Sequence, residues 1–482
     1  MLLVAGLFSS LAANALAEPG AAVTLNRPDD GYRGVWYMNQ PTGDAHRYKY
    51  SGGLGTYCDY HQPLAVYDAE ANKTFFCYGG AAADSNERLW HMVSYFDHAS
   101  GLVPRPTILL DKQTGDAHDN PVLAIDGAGH IWIFSSSHGL GRPSYIHRSR
   151  RPRDVGEFEL IEATRRDGER DVPLDNFSYP QFWYDRQRGF VSFFTRYGYP
   201  AARTSCLMTS PDGVRWSEWR RLAAIGEGHY QISAVGPTKA AAMMNYHPAG
   251  KGLNWRTNLY YLETKDGGET WQAADGAALE LPLTAVHNPA LVHDYESEKL
   301  LVYIKDLTFG AAERPILVYE TSRGFAPGPE NGPRWLRTAR WTGSQWEDRP
   351  IAVVDHNYDS AALYVEADGA WRVIAASEPG AQPHATGGDM AMWMSRDQGH
   401  SWLLLRQLTR DATRNHTFAR RPVNAHEGFY SLWADGDAHG ASDSSLYFAT
   451  KAGNVFRLPR TMDGPTAKPD PMPAIERAAA PE

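Results

Sequence analysis

A two-stranded pattern recurs along this chain and constrains its fold more than any other feature of the sequence. Each unit has a polar or aromatic residue, an apolar strand, a turn and a second apolar strand, as in "HDNPVLAIDGAGHIWIFSSSHG" at residues 118–139. Seven units begin near His61, His118, Tyr179, His229, His287, Asn357 and His426. Their spacing of about 50 to 70 residues is typical of one four-stranded sheet per unit. Because helical periodicity is nearly absent, the sequence predicts an all-β fold, a seven-bladed β-propeller.

A shorter motif repeats between residues 210 and 402 of the chain. "TKDGGETW" at residues 264–271 and "SRDQGHSW" at 395–402 match the S/T-x-D-x-G-x-x-W pattern of an Asp-box, or BNR repeat, and "SPDGVRW" at 210–216 is one residue short. In such a turn the Ser or Thr and Asp side chains bind backbone amides, glycine takes a positive φ, and tryptophan packs between sheets. The Asp-boxes therefore predict structural turns and favour a propeller.

The two ends of the chain differ in composition from the rest. Residues 1–17, "MLLVAGLFSSLAANALA", form an apolar run that ends in small residues, which predicts a signal peptide and a secreted or periplasmic protein. The run lacks a basic start, which indicates a truncated leader, and a short buried segment is the alternative. We expect residues 18–460 to form a single propeller, the catalytic domain, and the Pro- and Ala-rich residues 461–482 to form a disordered tail.

Composition and charge limit the partners of the protein. With 482 residues, 43% of them hydrophobic, and 15 Trp, the chain can bury a large core. A net charge of -9 without a basic run argues against binding to nucleic acid and to an anionic membrane surface. The three cysteines, Cys58, Cys77 and Cys206, are odd in number and far apart, so we expect no disulfide framework and at most one bridge. We expect a monomer that needs a locally positive pocket for any acidic substrate.

The turns determine which residues face each other at the open ends of four hairpins. The glycine-rich turn around Ala128 aligns the strands on either side of it as an antiparallel pair. Applied to four hairpins, this argument pairs His118 with His138, Tyr179 with Arg196, His229 with Tyr246, and His287 with Asp306. Equivalent positions of a propeller lie around one end of its axis, so these side chains are predicted to form a ring there. A bulge would shift a register by one residue and turn a side chain to the other face.

Four of these residues together favour catalysis over a structural role. A single histidine at such a rim is more often a structural hydrogen-bonding group, since a fold does not imply a function. His118, His138, Tyr179 and Arg196 combine two imidazoles, a phenol and a guanidinium at one opening. That combination suits proton transfer next to a bound anion.

With these residues in place, the sequence resembles a family of polysaccharide lyases. The most specific segments are "KYSGGLGTY", the pair "HDNP" and "SSSHG", and "SYPQFWYD" followed by "FFTRYG". They resemble the seven-bladed, Asp-box-containing ulvan lyases of polysaccharide lyase families 24 and 25, and the resemblance spans nearly the whole mature chain. It implies that the protein cleaves ulvan or a related rhamnosyl-glucuronate polymer by β-elimination and leaves a 4,5-unsaturated uronate end.

The resemblance also implies roles for individual residues. It makes His118 the catalytic histidine, His138 the second active-site histidine, Tyr179 the catalytic tyrosine and Arg196 the group that neutralises the substrate carboxylate. It makes Tyr246 a substrate-contacting residue. We expect further substrate contacts from Asn120, His229 and His287.

The chemistry of elimination explains why such residues are needed. Removal of the C5 proton places negative charge next to a carboxylate, and a side-on guanidinium offsets that charge. Either His118 is the base and Tyr179 the acid, or Tyr179 serves as both. No metal or organic cofactor is required. The resemblance allows a structural divalent metal ion, for which Cys206, His229 and His247 are candidates without a supporting ligand spacing.

Two other functions compete with the lyase. A sialidase-like glycoside hydrolase also uses Asp-boxes, but it needs an arginine cluster and usually begins with an "RIP"-type motif, which this sequence lacks. A non-catalytic propeller that binds carbohydrate is the third possibility, because Trp and Tyr residues are frequent. The products formed from a uronate polymer distinguish the three.

Overall fold

The computed structural model describes residues 24–82, 85–198 and 201–475 of the chain. The predicted signal peptide at residues 1–17 lies outside these ranges. Within them the chain consists of β-strands, turns and four short 3-10 helices. These helices are Leu54–Thr56, Ala117–Asp119, Ala311–Glu313 and Pro329–Asn331. The prediction of an all-β fold is confirmed, and no helix in the described ranges is long and apolar enough to cross a membrane.

Eight strands precede the predicted site residue His118. They are β1 (Thr24–Pro28), β2 (Gly34–Pro41), β3 (Tyr48–Gly53), β4 (Ala65–Asp68), β5 (Lys73–Ala82), β6 (Ser85–Asp97), β7 (Val103–Pro104) and β8 (Thr107–Asp111). Five of them form one antiparallel sheet in the order β1-β8-β6-β5-β4. Strand β2 pairs with β3.

Five four-stranded antiparallel sheets follow along the chain. Their strands and a small side sheet begin with β9 (Pro121–Ile125), β10 (Ile131–Ser135), β11 (Tyr145–Ser149), β12 (Phe158–Leu160), β13 (Thr164–Asp167), β14 (Arg170–Pro173), β15 (Ser178–Asp185), β16 (Gly189–Tyr197), β17 (Arg203–Ser210), β18 (Arg215–Trp216) and β19 (Arg220–Ala223). They continue with β20 (Gln231–Val235), β21 (Ala240–Tyr246), β22 (Thr257–Thr264), β23 (Leu291–His293), β24 (Leu301–Phe309), β25 (Pro315–Ser322), β26 (Arg334–Trp341), β27 (Trp346–Val354), β28 (Ala361–Val365), β29 (Trp371–Glu378), β30 (Asp389–Ser395) and β31 (Leu403–Gln407). The five sheets are β9 to β12, β15-β16-β17-β19, β20 to β23, β24 to β27 and β28 to β31.

The last strands complete a five-stranded sheet and join the two ends of the fold. They are β32 (Asn415–Arg420), β33 (Ser431–Gly436), β34 (Asp443–Ser444), β35 (Leu446–Ala449), β36 (Val455–Arg457), β37 (Thr466–Ala467) and β38 (Asp470–Pro471). The sheet order is β32-β33-β35-β36-β38. Strand β34 pairs with β2, so Ser444 lies opposite Gly34.

The sheets match the predicted repeat in most units. In the described ranges seven sheets have four or five strands. Five predicted hairpins, those near His61, His118, Tyr179, His229 and Asn357, supply the first two strands of a sheet. The unit near His287 instead joins β23, the last strand of one sheet, to β24 of the next, and the unit near His426 contains the single strand β33. The arrangement of seven blades around one axis stays a prediction.

Two of the four predicted registers are correct and two are wrong. Strands β9 and β10 pair Ala124 with Trp132, and β20 and β21 pair Ala234 with Ala241, as predicted. Strands β15 and β16 are shifted by one residue, because the turn between Asp185 and Gly189 has three residues rather than two. An irregularity between Ser178 and Gln181 adds a second shift, so Ser178 lies opposite Thr195. The pairing of His287 with Asp306 is also wrong, because β23 pairs with β22 and not with β24.

The three Asp-boxes form the predicted turns. In the box at 264–271, Thr264 Oγ1 accepts the Gly268 amide at 2.9 Å and Asp266 accepts the Thr270 amide at 2.9 Å. The indole of Trp271 donates to the Gly268 carbonyl at 3.0 Å and is buried. The boxes at 395–402 and 210–216 repeat the serine-to-glycine contact at 2.8 Å.

The predicted disordered tail from residue 461 differs from the structure up to residue 475. Strand β37 pairs with β7, and β38 pairs with β36. The Arg105 side chain donates to the carbonyls of Met462 and Gly464 at 2.8 and 2.9 Å, and Met462 is buried. The tail is ordered there because it covers a sheet edge, which composition alone does not reveal.

Candidate active site

Two histidines from one hairpin share a single carboxylate. The Nδ1 atom of His118 lies 2.6 Å from Asp116 Oδ1, and the Nδ1 atom of His138 lies 2.8 Å from Asp116 Oδ2. The two rings stack with centroids 4.2 Å apart. The hairpin therefore brings the two imidazoles together at its open end, as its register predicts.

A short helical turn holds this end of the hairpin. Asp116 precedes the 3-10 helix Ala117–Asp119 and accepts the backbone amide of His118 at 3.1 Å. Asp119 accepts the backbone amide of His138 at 2.7 Å. The Arg142 guanidinium bridges the two carboxylates, with Nη2 3.0 Å from Asp116 and Nε 2.8 Å from Asp119. These contacts fix the positions of both imidazoles before any ligand binds.

The hydrogen bonds also assign the tautomers of the two histidines. Because the Asp116 carboxylate accepts from both Nδ1 atoms, the neutral form of each ring has its lone pair on Nε2. His118 Nε2 accepts the Tyr57 hydroxyl at 2.9 Å. His138 Nε2 has no partner among the described residues, and 30% of its side chain is exposed. His138 is therefore the imidazole that is available to a ligand.

Burial and the shared carboxylate set the protonation of this group. Burial lowers the pKa of His118, against the opposing effect of Asp116. Burial alone would raise the pKa of Asp116, but its hydrogen bonds with His118 and His138 hold that pKa well below the usual range. The group therefore combines an ionised carboxylate with a neutral His118 at neutral pH.

Asp116, His118 and His138 are also the described residues that come nearest to a metal site. Their ligand atoms lie within 4.8 Å of one another. They fit a cation poorly, because Asp116 already accepts hydrogen bonds from both imidazoles and from the positively charged Arg142. His229 fits no better, since its ring nitrogens bind the Ile225 amide and the Asn245 carbonyl.

Tyr179 lies against both histidines at the irregular point between β15 and β16. Its ring meets His118 and His138 edge to face, with centroids 5.8 and 6.0 Å apart. The residue has a positive φ of 49° and is 3% exposed. Burial raises the pKa of Tyr179 well above its usual value. The structure thus places Tyr179 beside the histidines, although not opposite Arg196.

Arg196 lies outside this cluster, contrary to the sequence prediction. Its guanidinium donates to Asn176 and covers the Trp219 ring at 4.7 Å, with Arg165 on the same ring at 3.7 Å. Arg196 and Tyr197 are consecutive residues of β16, so their side chains lie on opposite faces of the sheet, and it is Tyr197 that faces the cluster. Tyr197 meets His138 edge to face at 5.7 Å.

Arg203 supplies the positive charge beside Tyr179 that Arg196 does not. It lies directly opposite Tyr197 on β17, and its Nε is 3.3 Å from the Tyr197 hydroxyl. Its guanidinium lies over the Tyr197 and Tyr230 rings at 5.3 and 5.2 Å. In the described ranges its buried Nη1 has no hydrogen-bond partner. An anion that approaches the cluster therefore has a guanidinium to bind.

The other predicted contacts lie elsewhere. Asn120 donates to the Tyr57 carbonyl at 2.7 Å and holds the backbone beneath the site. Tyr246 donates to Glu296 and packs in the core that contains Trp271. His229 is fully buried, and His287 is exposed in a turn outside the cluster. These four residues were chosen because they lie at or near hairpin ends. The choice failed because a side chain at a hairpin end can point away from the opening.

Tyrosines from several sheets surround a small cavity of about 20 Å³ beneath the histidines. The residues that line it include Tyr50, Tyr57, Tyr60, His118, Tyr179, Tyr230, Arg256, Tyr303, Lys305 and Tyr358. A wider groove of about 670 Å³ lies at the opposite, turn-bearing ends of the strands. There Arg153 is paired with Asp68 and Glu70.

The sequence reasoning missed Asp116, Tyr57, Tyr197, Arg203 and Tyr230. Asp116 carried a visible signal, because "GDAHDN" places a carboxylate two residues before His118. Identification of Tyr197 and Arg203 required the correct register of β16 with its two neighbouring strands, which the sequence did not provide. Tyr57 comes from a 3-10 segment outside the repeated hairpins, so no hairpin argument could find it.

Comparison with known proteins finds similarity in sequence to a repeat family and to an ulvan lyase. A family model described as "BNR repeat-containing family member" matches residues 67–354. An ulvan lyase from Nonlabens ulvanivorans is 25% identical over 276 residues, which cover 49% of this chain and 54% of that protein. The chain thus matches about half the length of this relative.

Solved structures are similar in fold over most of their length. An ulvan lyase of polysaccharide lyase family 25 has a TM-score of 0.65 and 15% identity, covering 88% of this chain and 96% of that one. A second structure of it contains -[GlcA(1-4)Rha3S]-. The polysaccharide lyase Uly1 has a TM-score of 0.58 and 11% identity, covering 87% of this chain and 99% of that one.

Proposed function

The chain belongs to the family of BNR repeat-containing proteins, and from this premise we propose that it is a polysaccharide lyase. It cleaves a uronate-containing polymer, ulvan or one with a related rhamnosyl-glucuronate linkage, by β-elimination. The observation that carries the proposal is one cluster in which Tyr179 and the free Nε2 of His138 lie beside Arg203. The ulvan lyase relative and the two lyase folds support it.

The proposal includes the architecture and the setting of the enzyme. Its seven sheets of four or five strands are seven blades around one axis, and the pairing of β2 with β34 joins the first and last parts of the ring. The apolar leader at residues 1–17 directs the protein out of the cytoplasm. The enzyme acts as a monomer without a catalytic cofactor, and any structural divalent ion has ligands that we do not assign.

Arg203 binds the uronate carboxylate in the proposed reaction. Its unpaired Nη1 offers a charge-assisted hydrogen bond to a carboxylate oxygen. When the C5 proton leaves, negative charge spreads onto that carboxylate, and the guanidinium stabilises it more than in the ground state. Arg203 therefore takes the role that the sequence assigned to Arg196.

Tyr179 and the histidines move the protons. Tyr179, in its ionised form, takes the C5 proton; the C5–H electron pair forms the C4=C5 double bond, and the C4–O4 bond breaks. Tyr179 then returns that proton to O4 for a syn elimination. In an anti elimination Tyr179 keeps the C5 proton, and the imidazolium form of His138, protonated at Nε2, donates to O4 from the opposite side; both groups then exchange protons with solvent. His118 is held by Tyr57 and Asp116, so it keeps Tyr179 and His138 in position.

Incubation with ulvan tests the proposal. The wild type should produce the ultraviolet absorbance of an unsaturated uronate, and Tyr179→Phe should abolish it while leaving the circular dichroism spectrum unchanged. Tyr184→Phe, a change in the same strand at the turn end, is the matched control and should keep the activity. An active Tyr179→Phe enzyme would overturn the role of this residue. Reducing ends without the absorbance would indicate a hydrolase, and neither product would indicate a binding protein.

A further inference from the structure

Two buried arginines lie against one tyrosine next to the reactive cluster. The guanidinium of Arg256 is 4.3 Å from the centre of the Tyr230 ring, and that of Arg203 is 5.2 Å from it. Tyr60 stacks on the same ring at 4.5 Å, and Tyr179 meets it edge to face at 5.3 Å. All of these side chains are buried. Tyr230 therefore occupies a dry, positively charged environment.

The two arginines have no acidic partner within ion-pair distance in the part of the chain that the structure describes. Arg256 donates to the hydroxyls of Tyr60 and Tyr358 at 3.0 and 2.8 Å, and Arg203 contacts the Tyr197 hydroxyl. An unpaired buried charge is costly, and arginine cannot relieve that cost by losing its proton. A negative charge on a neighbouring group would offset this cost further.

A buried lysine nearby avoids the cost of an unpaired buried charge in a different way, by losing its proton. Lys49 also lies among tyrosines, 3.3 Å from the Tyr358 hydroxyl. Burial and the positive charges of Arg256 and Arg334 lower its pKa well below the usual value. A neutral lysine removes one charge from the site, but the two guanidinium groups stay charged.

We propose that Tyr230 is a tyrosinate in the resting protein and that it prepares Tyr179 for proton transfer. The phenolate neutralises one of the two flanking guanidinium charges and leaves the other for the substrate carboxylate. The tyrosinate itself follows from the arrangement of the arginines, whereas its role toward Tyr179 rests on the proposed lyase function. Tyr230 acts through Tyr179 and is therefore a positioning residue.

The charges that face Tyr230 support this assignment. Burial alone raises its pKa, but Arg203, Arg256 and a hydrogen bond with Tyr179 together lower it below the usual value. Burial dominates at Tyr60, Tyr303 and Tyr358, which also face Arg256, and their pKa values are raised. The remaining ionisable groups that face Tyr230 are Tyr50, Tyr197, His247 and Cys58, and burial raises the pKa of Tyr50 as well.

These remaining groups do not supply the negative charge. Burial lowers the pKa of His247 well below its usual value, so the imidazole is neutral. Burial raises the pKa of the Cys58 thiol to about 12 and also raises that of Tyr197. Tyr230 is thus the tyrosine in this environment whose pKa is lowered, and it is the one flanked by both unpaired guanidinium groups.

We call the proton transfers between Tyr230, Tyr179 and the substrate the relay, and they return both tyrosines to their starting states. The Tyr179 hydroxyl proton passes to Tyr230, and the Tyr179 oxygen takes the C5 proton of the substrate. Tyr179 gives that proton to O4 as the C4–O4 bond breaks, and the proton on Tyr230 returns to Tyr179. The net change is the transfer of one proton from C5 to O4, and Tyr230 is again ionised.

Ultraviolet difference spectroscopy of the full-length protein tests the tyrosinate without any substrate. At neutral pH the wild type should contain about one tyrosinate, a value set by the single favoured site. Tyr230→Phe should remove it, and the matched variant Tyr303→Phe should retain it. As the pH is lowered, the tyrosinate should be lost at a pH that rises in Arg203→Gln, because one stabilising charge is gone. Absence of a tyrosinate at neutral pH, or its persistence in Tyr230→Phe, would overturn the proposal.

Kinetics test the role of the relay separately. In Tyr230→Phe the kcat at neutral pH should fall by about tenfold to hundredfold with little change in KM. The loss should shrink at alkaline pH, where Tyr179 ionises without help, and a purely structural defect would not recover in this way. A tyrosinate in a protein without lyase activity would refute the proposed function and leave the tyrosinate established. Equal losses at all pH values would contradict the relay.

Discussion

At the scale of the residue, two arginines on neighbouring strands have opposite surroundings. Arg203 lies among Tyr179, Tyr197 and Tyr230 with an unpaired Nη1. Arg196 has its guanidinium on Trp219 and a hydrogen bond to Asn176. Of these two arginines, therefore, only Arg203 is placed to bind the substrate carboxylate, and only its replacement should remove that contact.

This contrast gives a paired prediction for catalysis. In Arg203→Gln, kcat/KM on ulvan should fall on the order of 10²-fold or more, because one preorganised donor to the developing negative charge is removed. In Arg196→Gln it should stay within about tenfold of the wild type, since that residue makes no transition-state contact. Steady-state kinetics of both variants provide the test. A larger loss in Arg196→Gln would return the carboxylate-binding role to Arg196.

The sequence predicted the reactive groups better than their partners. His118, His138 and Tyr179 meet as expected, because turn chemistry fixes the neighbourhood of a hairpin end. Arg196 failed because the pairing of β15 with β16 is shifted by the turn and again by an irregularity between Ser178 and Gln181, next to Tyr179, which the sequence does not reveal. The sequence could not identify Arg203 as the carboxylate-binding residue, because that assignment depends on its unpaired Nη1 atom, which is known only from the packing of the side chains.

At the scale of the element, the Asp-box turns depend on glycines with different surroundings. Gly267 and Gly268 both have positive φ angles, 74° and 98°. A Cβ atom on Gly268 would lie 2.9 Å from the Leu207 side chain on β17, whereas one on Gly267 meets nothing within 4 Å. The box therefore combines a backbone requirement with a close contact between two sheets.

The two glycines give a matched prediction for stability. Gly267→Ala should cost about 1 to 2 kcal/mol, because alanine is strained at positive φ. Gly268→Ala should cost about 1 to 3 kcal/mol more, because it also forces Leu207 to move. Urea unfolding of both variants measures the difference. Equal midpoints would mean that the contact between sheets does not constrain the turn.

At the scale of the whole molecule, buried histidines couple the fold to pH. His229 is fully buried, and burial lowers its pKa to about 4. The unfolded chain binds a proton near the ordinary value of 6.5, so between 6.5 and 4 the unfolded state holds more protons than the folded state. The contribution of His229 to stability is thus full above pH 6.5 and falls as the pH drops toward 4.

Replacement of this histidine tests the coupling. The free energy of unfolding of the wild type, relative to His229→Gln, should decrease by up to about 3 kcal/mol as the pH falls from 6.5 to 4. Chemical denaturation at several pH values gives this difference, and other titrating groups cancel in it. A difference that is independent of pH would show that His229 titrates alike in both states.

The repeat made the all-β fold predictable. It did not predict the strand pairing of two units or the order of the C-terminal segment. Alternation and turns identify strands locally, so five of the predicted hairpins supply the first strands of sheets. The units near His287 and His426 failed because a strand pattern does not reveal whether its partner lies before or after it. The tail up to residue 475 failed because its order comes from distant contacts with Arg105 and β7.

The masses of the products test the central claim, elimination at a uronate, most directly. Purified ulvan oligosaccharides of known mass would be digested, and the products would be analysed by mass spectrometry. The account predicts product pairs whose masses add up to that of the substrate, with an unsaturated uronate at one new end. Product pairs heavier than the substrate by one water would mean hydrolysis and would contradict the account.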